Sequence, residues 1–166
     1  MRSKTCWFCN DDMRTDPPPG GFLIDDGTWR AGHAPASYAP LGTVVLEARR
    51  HVLDQADFND VESQTCARVT GRLVEAVRRA TGCDRVYQWA TMDAFPHFHL
   101  WLVPWSLSDD LRGPRFLADR LLHGDGCSPA EAEATARALR GALSAPAVGE
   151  HQPGDAVAVR PTYSGG

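Results

Sequence analysis

The 166-residue chain has a mass of 18.1 kDa, with 43% apolar residues, 23% charged residues and a net charge of −4. A chain of this size and composition forms one domain with its own hydrophobic core, which excludes wholesale disorder. No apolar run reaches the roughly 18 residues that a membrane span needs, and the amino terminus lacks the apolar stretch of a signal peptide. The slight negative charge also argues against general binding to nucleic-acid backbones.

The first part of the chain predicts an irregular segment and three short strands. The irregular segment covers 1–21 and contains a Cys-x-x-Cys motif and three consecutive prolines. Two strand-like runs then flank the turn signal Asp25-Asp26-Gly27, which predicts a hairpin. The three predicted strands are 22–24, 28–33 and 42–47.

The clearest helix is predicted over 60–81. Asn59 is placed to cap its amino terminus, and Glu62 follows three residues later as the partner in a capping box. Apolar side chains recur at helical spacing along one face, and Gly82 is suited to end the helix. This segment therefore predicts one long amphipathic helix that packs on a sheet.

The rest of the chain predicts two strands, two helices and a tail. The residues after 143 are rich in proline, glycine and alanine without a sustained period, which is typical of a disordered tail. The predicted strands are 85–90 and 97–103, the helices are 114–122 and 129–143, and the tail is 144–166.

The five cysteines are an odd number for a chain without a secretion signal, so they favour a reducing, cytoplasmic setting.

Cys6 and Cys9 form a Cys-x-x-Cys motif that precedes every predicted strand. A thioredoxin-type motif follows a strand and opens a helix, so a redox role is a poor fit. A metal site needs two more ligands, and two free thiols in a mobile arm are the alternative. The other three cysteines are Cys66, Cys83 and Cys127.

The segment 96–104 carries the most informative pattern in the chain. Side chains alternate between the two faces of a strand, so His97, His99 and Trp101 are predicted to share one face. The opposite face is entirely apolar and is predicted to join the core. One interpretation is a half-exposed strand with incidental histidines. The other is a pair placed for metal binding, proton transfer or nucleophilic attack.

The run 97–103 resembles the His-φ-His-φ-His-φ-φ signature of the histidine triad superfamily, where φ is apolar, with Trp101 in place of the third histidine. The elements before it follow the order of that family over 6–104. The resemblance implies an α+β fold, in which an antiparallel sheet of about five strands packs against one long helix. We expect 1–104 to be the catalytic domain and 105–143 to be a C-terminal helical extension packed on it.

The resemblance also implies a nucleotide site. In such proteins the middle histidine, here His99, attacks the α-phosphate and forms a nucleotidyl-histidine that water or another acceptor then cleaves. The expected activity is a hydrolase or nucleotidyltransferase acting on a dinucleoside polyphosphate, a phosphoramidate or another nucleotide conjugate. Trp101, His97 and Gln88 are expected to contact the phosphate. An indole N–H donates a hydrogen bond but is not a general acid. Trp101 is therefore expected to affect the outcome of the reaction more than the binding of the nucleotide.

In zinc-bearing members of the superfamily, two histidines complete the metal site that the two cysteines begin. By this resemblance the ligands are Cys6, Cys9, His51 and His97. Two thiolates and two neutral imidazoles make a closed, tetrahedral site, which is structural in zinc chemistry. The resemblance therefore implies one structural zinc ion.

Two alternatives to the enzyme stay open. One is a zinc-stabilised nucleotide-binding module with weak or no catalysis, and the other is a structural or partner-binding domain. A homodimer that buries the long helix is expected from the family, with no membrane partner. His33 could approach the site from the hairpin, but a solvated loop residue is the favoured interpretation. Four aromatic side chains could line a base pocket, although aromatic residues at strand spacing are more often core. They are Trp7, Phe8, Phe22 and Trp29.

Overall fold

The structure is a computed structural model that describes residues 6–10, 16–37, 39–90 and 95–145. Within these ranges five strands and three α-helices follow one another along the chain. In order they are β1 (Ile24–Asp25), β2 (Trp29–His33), β3 (Val44–Ala48), α1 (Asp60–Thr81), β4 (Arg85–Trp89), β5 (His99–Trp105), α2 (Gly113–Ala118) and α3 (Pro129–Ser144).

The five strands form one sheet with the order β1-β2-β3-β5-β4, and every neighbouring pair is antiparallel. This confirms the predicted α+β class and the antiparallel sheet. In the register of β3 with β5, Glu47 lies opposite His99 and Val45 lies opposite Trp101. Because residues directly opposite each other project from the same face, these four side chains share one face of the sheet.

The helix α1 covers the other face and has the predicted bounds. The side chain of Asn59 accepts a hydrogen bond from the Glu62 N–H, and the Glu62 carboxylate accepts one from the Asn59 N–H, so the capping box is complete. Gly82 ends the helix with a φ of 70°, in the left-handed region that glycine adopts without strain. Leu73 and Val77 are fully buried against the sheet.

The helix α3 packs beside α1 on the same face. Leu139 of α3 is fully buried in the core cluster that includes Leu73 and the inward side chains of β2, β3 and β5. The extension therefore contributes directly to the main core. No helix in the described ranges is both long and apolar enough to cross a membrane. Of the predicted tail 144–166, only the first two residues are described.

A second, smaller cluster lies on the opposite face of the sheet. It joins Val103 and Trp105 of β5 to Phe116 of α2, with Tyr87 and Trp101 packed around them. The predicted helix 114–122 is divided here, because α2 ends at Ala118 and one π-helical turn (Asp119–His123) follows.

The strand of the histidine motif begins two residues later than predicted, at His99, and continues to Trp105. The reason lies at its entrance. Pro96 has no N–H for a ladder bond, and the His97 N–H donates to the Phe95 carbonyl, so the backbone turns before the ladder begins. His97 therefore lies at the entrance of β5, outside its regular pairing.

Candidate functional site

Four potential metal ligands meet at the entrance of β5. Cys6, Cys9, His51 and His97 each offer one ligand atom, and the four atoms lie within 4.8 Å of one another. The Nδ1 atom of His97 is 3.6 Å from the Cys6 sulfur, 3.4 Å from the Cys9 sulfur and 3.4 Å from the His51 Nδ1 atom. The Cys9 sulfur is 3.5 Å from the His51 Nδ1 atom. The structure thus brings together all four residues that were predicted as ligands.

Local backbone structure orients these ligands. The N–H groups of Cys9 and Asn10 both donate to the Cys6 carbonyl, which folds the Cys-x-x-Cys segment into a turn. His97 is fully buried, and its Nε2 atom lies 2.7 Å from the Ala48 carbonyl oxygen. Because a carbonyl only accepts, Nε2 carries the proton and Nδ1 turns its lone pair toward the sulfurs.

These distances fit zinc. Tetrahedral zinc with ordinary Zn–S and Zn–N bond lengths separates a nitrogen and a sulfur ligand by about 3.5 Å, and two nitrogen ligands by about 3.4 Å. Three of the four N···S distances in the cluster are 3.4 to 3.6 Å, the N···N distance is 3.4 Å, and all four ligand atoms lie within 4.8 Å of one another. Four protein ligands fill a tetrahedral shell, so an ion held here has no open position for substrate.

His99 lies immediately beyond the cluster, and its side chain is held in one tautomer. Its Nδ1 atom is 2.8 Å from the His97 carbonyl oxygen, so Nδ1 is the donor and Nε2 carries the lone pair. The Phe8 ring stacks on both imidazoles, with centroid distances of 5.1 Å to His97 and 4.8 Å to His99. The imidazole is therefore fixed by packing on its ring face and by a hydrogen bond on one edge.

A largely apolar cavity of about 240 Å³ adjoins this histidine. Three neighbours of His99 line it, namely the stacked Phe8, the cross-strand partner Glu47, and Trp101 two residues along β5. Val45 contributes to its floor. Its outer wall is the segment 16–22, here called the proline strap, through Asp16, the three prolines and Phe22.

The proline strap is held from two sides. Toward the sheet, Pro18 lies so close to Gly32 that a β-carbon added at Gly32 would be 2.8 Å from it. Toward α3, the Arg140 guanidinium donates to the Gly20 carbonyl at 2.6 Å and to the Phe22 carbonyl at 3.4 Å. The C-terminal helix therefore positions one wall of the cavity.

Two buried charged residues on this face were not singled out from the sequence. Arg30 is 6% exposed and Glu47 is 4% exposed, and they lie opposite each other in the pairing of β2 with β3. The Arg30 Nε atom is 3.9 Å from a Glu47 carboxylate oxygen and 3.4 Å from one of Asp25. The signal was available, since alternation along 44–48 separates Glu47 from the apolar core positions.

No protein-family model matches the chain, and no curated protein matches it significantly. Solved structures do. A Hit-like protein involved in cell-cycle regulation from Bartonella henselae superposes with a TM-score of 0.63 at 14% identity, over 86% of this chain and 98% of that chain. A hypothetical histidine triad nucleotide-binding protein from Sulfolobus tokodaii gives 0.63 at 15% identity, over 83% and 91%. A Zn-bound histidine triad family protein from Mycobacterium smegmatis gives 0.61 at 20% identity, over 84% and 93%.

The chain has the histidine triad fold. Within it, Trp101 occupies the position of the third histidine and lies on the same face as His99, as predicted. Trp101 is half-buried, lines the cavity and also packs against the cluster around Phe116. It therefore forms a wall shared by the cavity and α2.

Gln88 was predicted to contact the phosphate, but within this chain it does not lie near His99. It lies opposite Leu102 in the pairing of β4 with β5, and Leu102 belongs to the core under α1. Gln88 therefore projects toward α1, where it lines a groove with Cys66 and Thr70. The alternation of side chains along 85–89 does not show which face of β4 lies toward α1, because that depends on the pairing of β4 with β5.

His33 is buried in β2 and is not the solvated loop residue that was predicted. Its Nε2 atom accepts from the Gly42 N–H at 2.9 Å, and its Nδ1 atom donates to the Ala34 carbonyl at 2.7 Å. Burial lowers the pKa of His33, against a smaller opposing effect of the Ala34 hydrogen bond. His33 is therefore a neutral residue that holds the loop between β2 and β3.

Proposed function

We propose that this protein binds a nucleotide in the cavity and cleaves it at the α-phosphate through a covalent nucleotidyl-histidine on His99. The observation that carries the proposal is the hydrogen bond from Nδ1 of His99 to the His97 carbonyl, which leaves the lone pair on Nε2 for nucleophilic attack. Three neighbours of His99 line the cavity, namely Phe8, Glu47 and Trp101. The fold supports the nucleotide assignment, because one structure that shares it is described as a nucleotide-binding protein.

The reaction has two balanced steps. The Nε2 lone pair of His99 forms a bond to the α-phosphorus, and the bond from phosphorus to the leaving group breaks with its electron pair on the leaving group. Water or another acceptor then attacks the phosphorus and releases its proton, the P–N bond breaks, and Nε2 regains its lone pair. Throughout, the Nδ1 proton stays hydrogen-bonded to the His97 carbonyl, which stabilises the positive charge that develops on the ring.

Trp101 decides which leaving groups suit this site. An indole N–H can donate a hydrogen bond to a phosphate oxygen, but it cannot give up its proton to a leaving atom. Leaving groups that depart as stable anions, such as the distal phosphate chain of a dinucleoside polyphosphate, need no such proton. An amine leaving group, as in a phosphoramidate, needs a proton from solvent or from the substrate itself.

We propose a structural role for zinc at the cysteine–histidine cluster. The ion would tie the amino-terminal turn to the end of β3 and to the entrance of β5, and so hold Phe8 and His97 against His99. Its chemistry there is that of a closed cross-link between thiolates and imidazoles. Such a site suits the reducing, cytoplasmic setting that the cysteine count predicts.

We also propose a homodimer. The strand β4 is at an edge of the sheet, and beside it a groove runs between α1 and the sheet, lined by Cys66, Thr70, Gln88 and Leu100 among others. A second copy that continues the sheet at β4 would cover this groove and satisfy the edge strand. Light scattering of the purified protein is expected to give twice the chain mass, and a monomer at micromolar concentration would contradict this part.

The test of the enzymatic proposal uses the zinc-loaded full chain. Dinucleoside tetraphosphates and nucleoside 5′-phosphoramidates with adenine or guanine bases serve as substrates, and product formation is followed by liquid chromatography. We expect His99→Ala to lose more than about 100-fold of the turnover. The exposed His123 of the π-helical turn offers the control, and His123→Ala is expected to keep full turnover.

A trapped intermediate makes the mechanism explicit. Protein mixed with substrate and denatured at neutral pH within the first turnover is expected to gain the mass of one nucleotidyl group on the peptide that contains His99. Turnover by the His99→Ala variant at the unsubstituted rate would contradict the mechanism.

The second candidate is a zinc-stabilised nucleotide-binding module with weak or no catalysis, and Trp101 is the observation that favours it. Nucleotide binding without turnover by any of these substrates would support this candidate over the enzyme. In that case Trp101→His, which restores the motif, is the variant in which turnover is expected to appear.

A further inference from the structure

The Phe8 ring packs face to face on both histidines at the entrance of β5. The ring centroids are 5.1 Å apart for His97 and 4.8 Å apart for His99, and the planes meet at 26° in each pair. These are stacked rings, whereas the contacts of Phe8 with Trp7 and Phe95 are edge contacts, at 86° and 79°. Phe8 therefore presents a ring face, and not an edge, to the candidate nucleophile.

The position of Phe8 is set by the turn of the Cys-x-x-Cys segment. Phe8 directly precedes Cys9, and the N–H groups of Cys9 and Asn10 donate to the Cys6 carbonyl at 3.1 and 3.0 Å. The ring is half-buried and also lines the cavity, as Trp101 does. The turn thus holds the ring between the cysteine–histidine cluster and the cavity in which the proposed substrate would bind.

The proposed reaction gives this stacking an electrostatic role. When Nε2 of His99 bonds to the α-phosphorus, the leaving group departs with the electron pair of its own bond. The ring keeps its Nδ1 proton and becomes an imidazolium. His99 is only 3% exposed, and a positive charge buried to this extent is costly unless neighbouring groups compensate it. The face of an aromatic ring carries partial negative charge and attracts a cation within about 6 Å of its centroid.

We infer that Phe8 is a positioning residue that stabilises, through the face of its ring, the positive charge that His99 acquires in the nucleotidyl intermediate. This rests on the proposed function, because it concerns the intermediate on His99. Two other groups also favour a positive charge there. The His97 carbonyl accepts from Nδ1 at 2.8 Å, and the Glu47 carboxylate projects from the opposite position of β3. The contribution of Phe8 can be separated from theirs, because fluorine on its ring weakens the negative face and changes the size of the side chain very little.

A charge effect and a packing effect change the two steps of the reaction differently. A weaker Phe8 face raises the free energy of the imidazolium, so it slows the formation of the nucleotidyl-histidine and speeds its hydrolysis. A displaced His99 would slow both steps. The signs of the two changes therefore distinguish stabilisation of the charge from packing alone.

The test replaces Phe8 by mono-, di- and trifluorinated phenylalanine in the zinc-loaded full chain. Rapid quenching after mixing with diadenosine tetraphosphate, followed by mass spectrometry, gives the rates at which the protein gains and loses the nucleotidyl group. Across the series we expect nucleotidylation to slow progressively, by roughly three- to tenfold for the trifluorinated ring, while hydrolysis of the intermediate becomes faster.

Phe98 is the matched control, because it lies between the two histidines in sequence but is buried in the main core, where it packs on Trp29 and Phe58. Trifluorination at Phe98 is expected to leave both rates unchanged. Rates that stay constant across the Phe8 series, or that fall together, would overturn this inference and leave the proposed function intact. If the unsubstituted chain gains no nucleotidyl group, both are overturned. If the trifluorinated Phe8 chain does not fold, the same two rates of the monofluorinated chain decide.

Discussion

The two faces of the sheet are built from different chemistry. Under α1 and α3 the inward side chains are nearly all apolar, with Leu46, Leu73 and Leu102 fully buried. On the other face lie two imidazoles, a buried arginine–glutamate pair and a tryptophan, covered by the amino-terminal turn, the proline strap and α2. Burial of apolar area is enough to specify the first face. The second face needs individual polar contacts, and the candidate chemistry is confined to it.

The largest effect is expected from the removal of a candidate metal ligand on the second face. Cys6→Ser takes one sulfur ligand from the cluster. Because a zinc ion held there would cross-link three separate segments, we expect a loss of about 4 kcal/mol in the free energy of unfolding. Nucleotide turnover is expected to fall with it, since Phe8 would no longer be held on His99. Chemical denaturation and zinc analysis measure both effects.

Cys127→Ser is the control, because Cys127 is half-buried and lies outside the cluster. It is expected to keep about one zinc ion per chain, as a single closed site requires. Freshly purified protein without zinc, or a Cys6→Ser variant as stable as the control, would show that the cluster is not a metal cross-link.

The sequence predicts the two faces of the sheet to different extents, and the reason is physical. The bounds and caps of α1 were predicted because a capping box and a left-handed glycine are local signals. The four candidate metal ligands were predicted from a family resemblance. The face of Glu47 could have been predicted from the alternation along 44–48. The face of Gln88 could not, because β4 carries aromatic or apolar side chains on both faces, and only its pairing with β5 shows which face lies toward α1. The late start of β5 followed from backbone hydrogen bonds around Pro96.

A second prediction concerns His33, a buried histidine that lies next to the apolar core. His33 lies opposite Val44, a core residue, and its pKa is lowered by burial. The unfolded chain therefore binds more protons at this residue than the folded chain does. Its contribution to stability is full above the unfolded pKa of about 6.5 and is lost as the pH falls below that value, by at most about 1.4 kcal/mol per pH unit.

The measurement compares the unsubstituted protein with His33→Gln, which cannot be protonated in this range. Urea denaturation from pH 7.5 to 5 is expected to show a steeper loss of stability in the unsubstituted protein. Protons taken up by other groups affect both proteins and cancel in the difference. Identical pH profiles would mean that His33 is protonated in the folded state as readily as in the unfolded chain.

The smallest effect is expected where the two faces meet. Arg140 belongs to α3 on the apolar side, yet it donates to the Gly20 and Phe22 carbonyls of the proline strap on the other side. Arg140→Ala is expected to cost about 1 kcal/mol of stability, the usual contribution of such a hydrogen bond, and to weaken nucleotide binding several-fold by loosening the cavity wall. Arg137→Ala, an exposed position on the same helix, is the control for the loss of a charge.

If Arg140→Ala lowered stability without changing nucleotide affinity, the proline strap would be a packing element of the fold and not a wall of the binding site. The KM of the Arg140→Ala variant, measured with kcat on the same substrate, distinguishes the two, because a displaced wall raises KM while His99 keeps its hydrogen bond to His97.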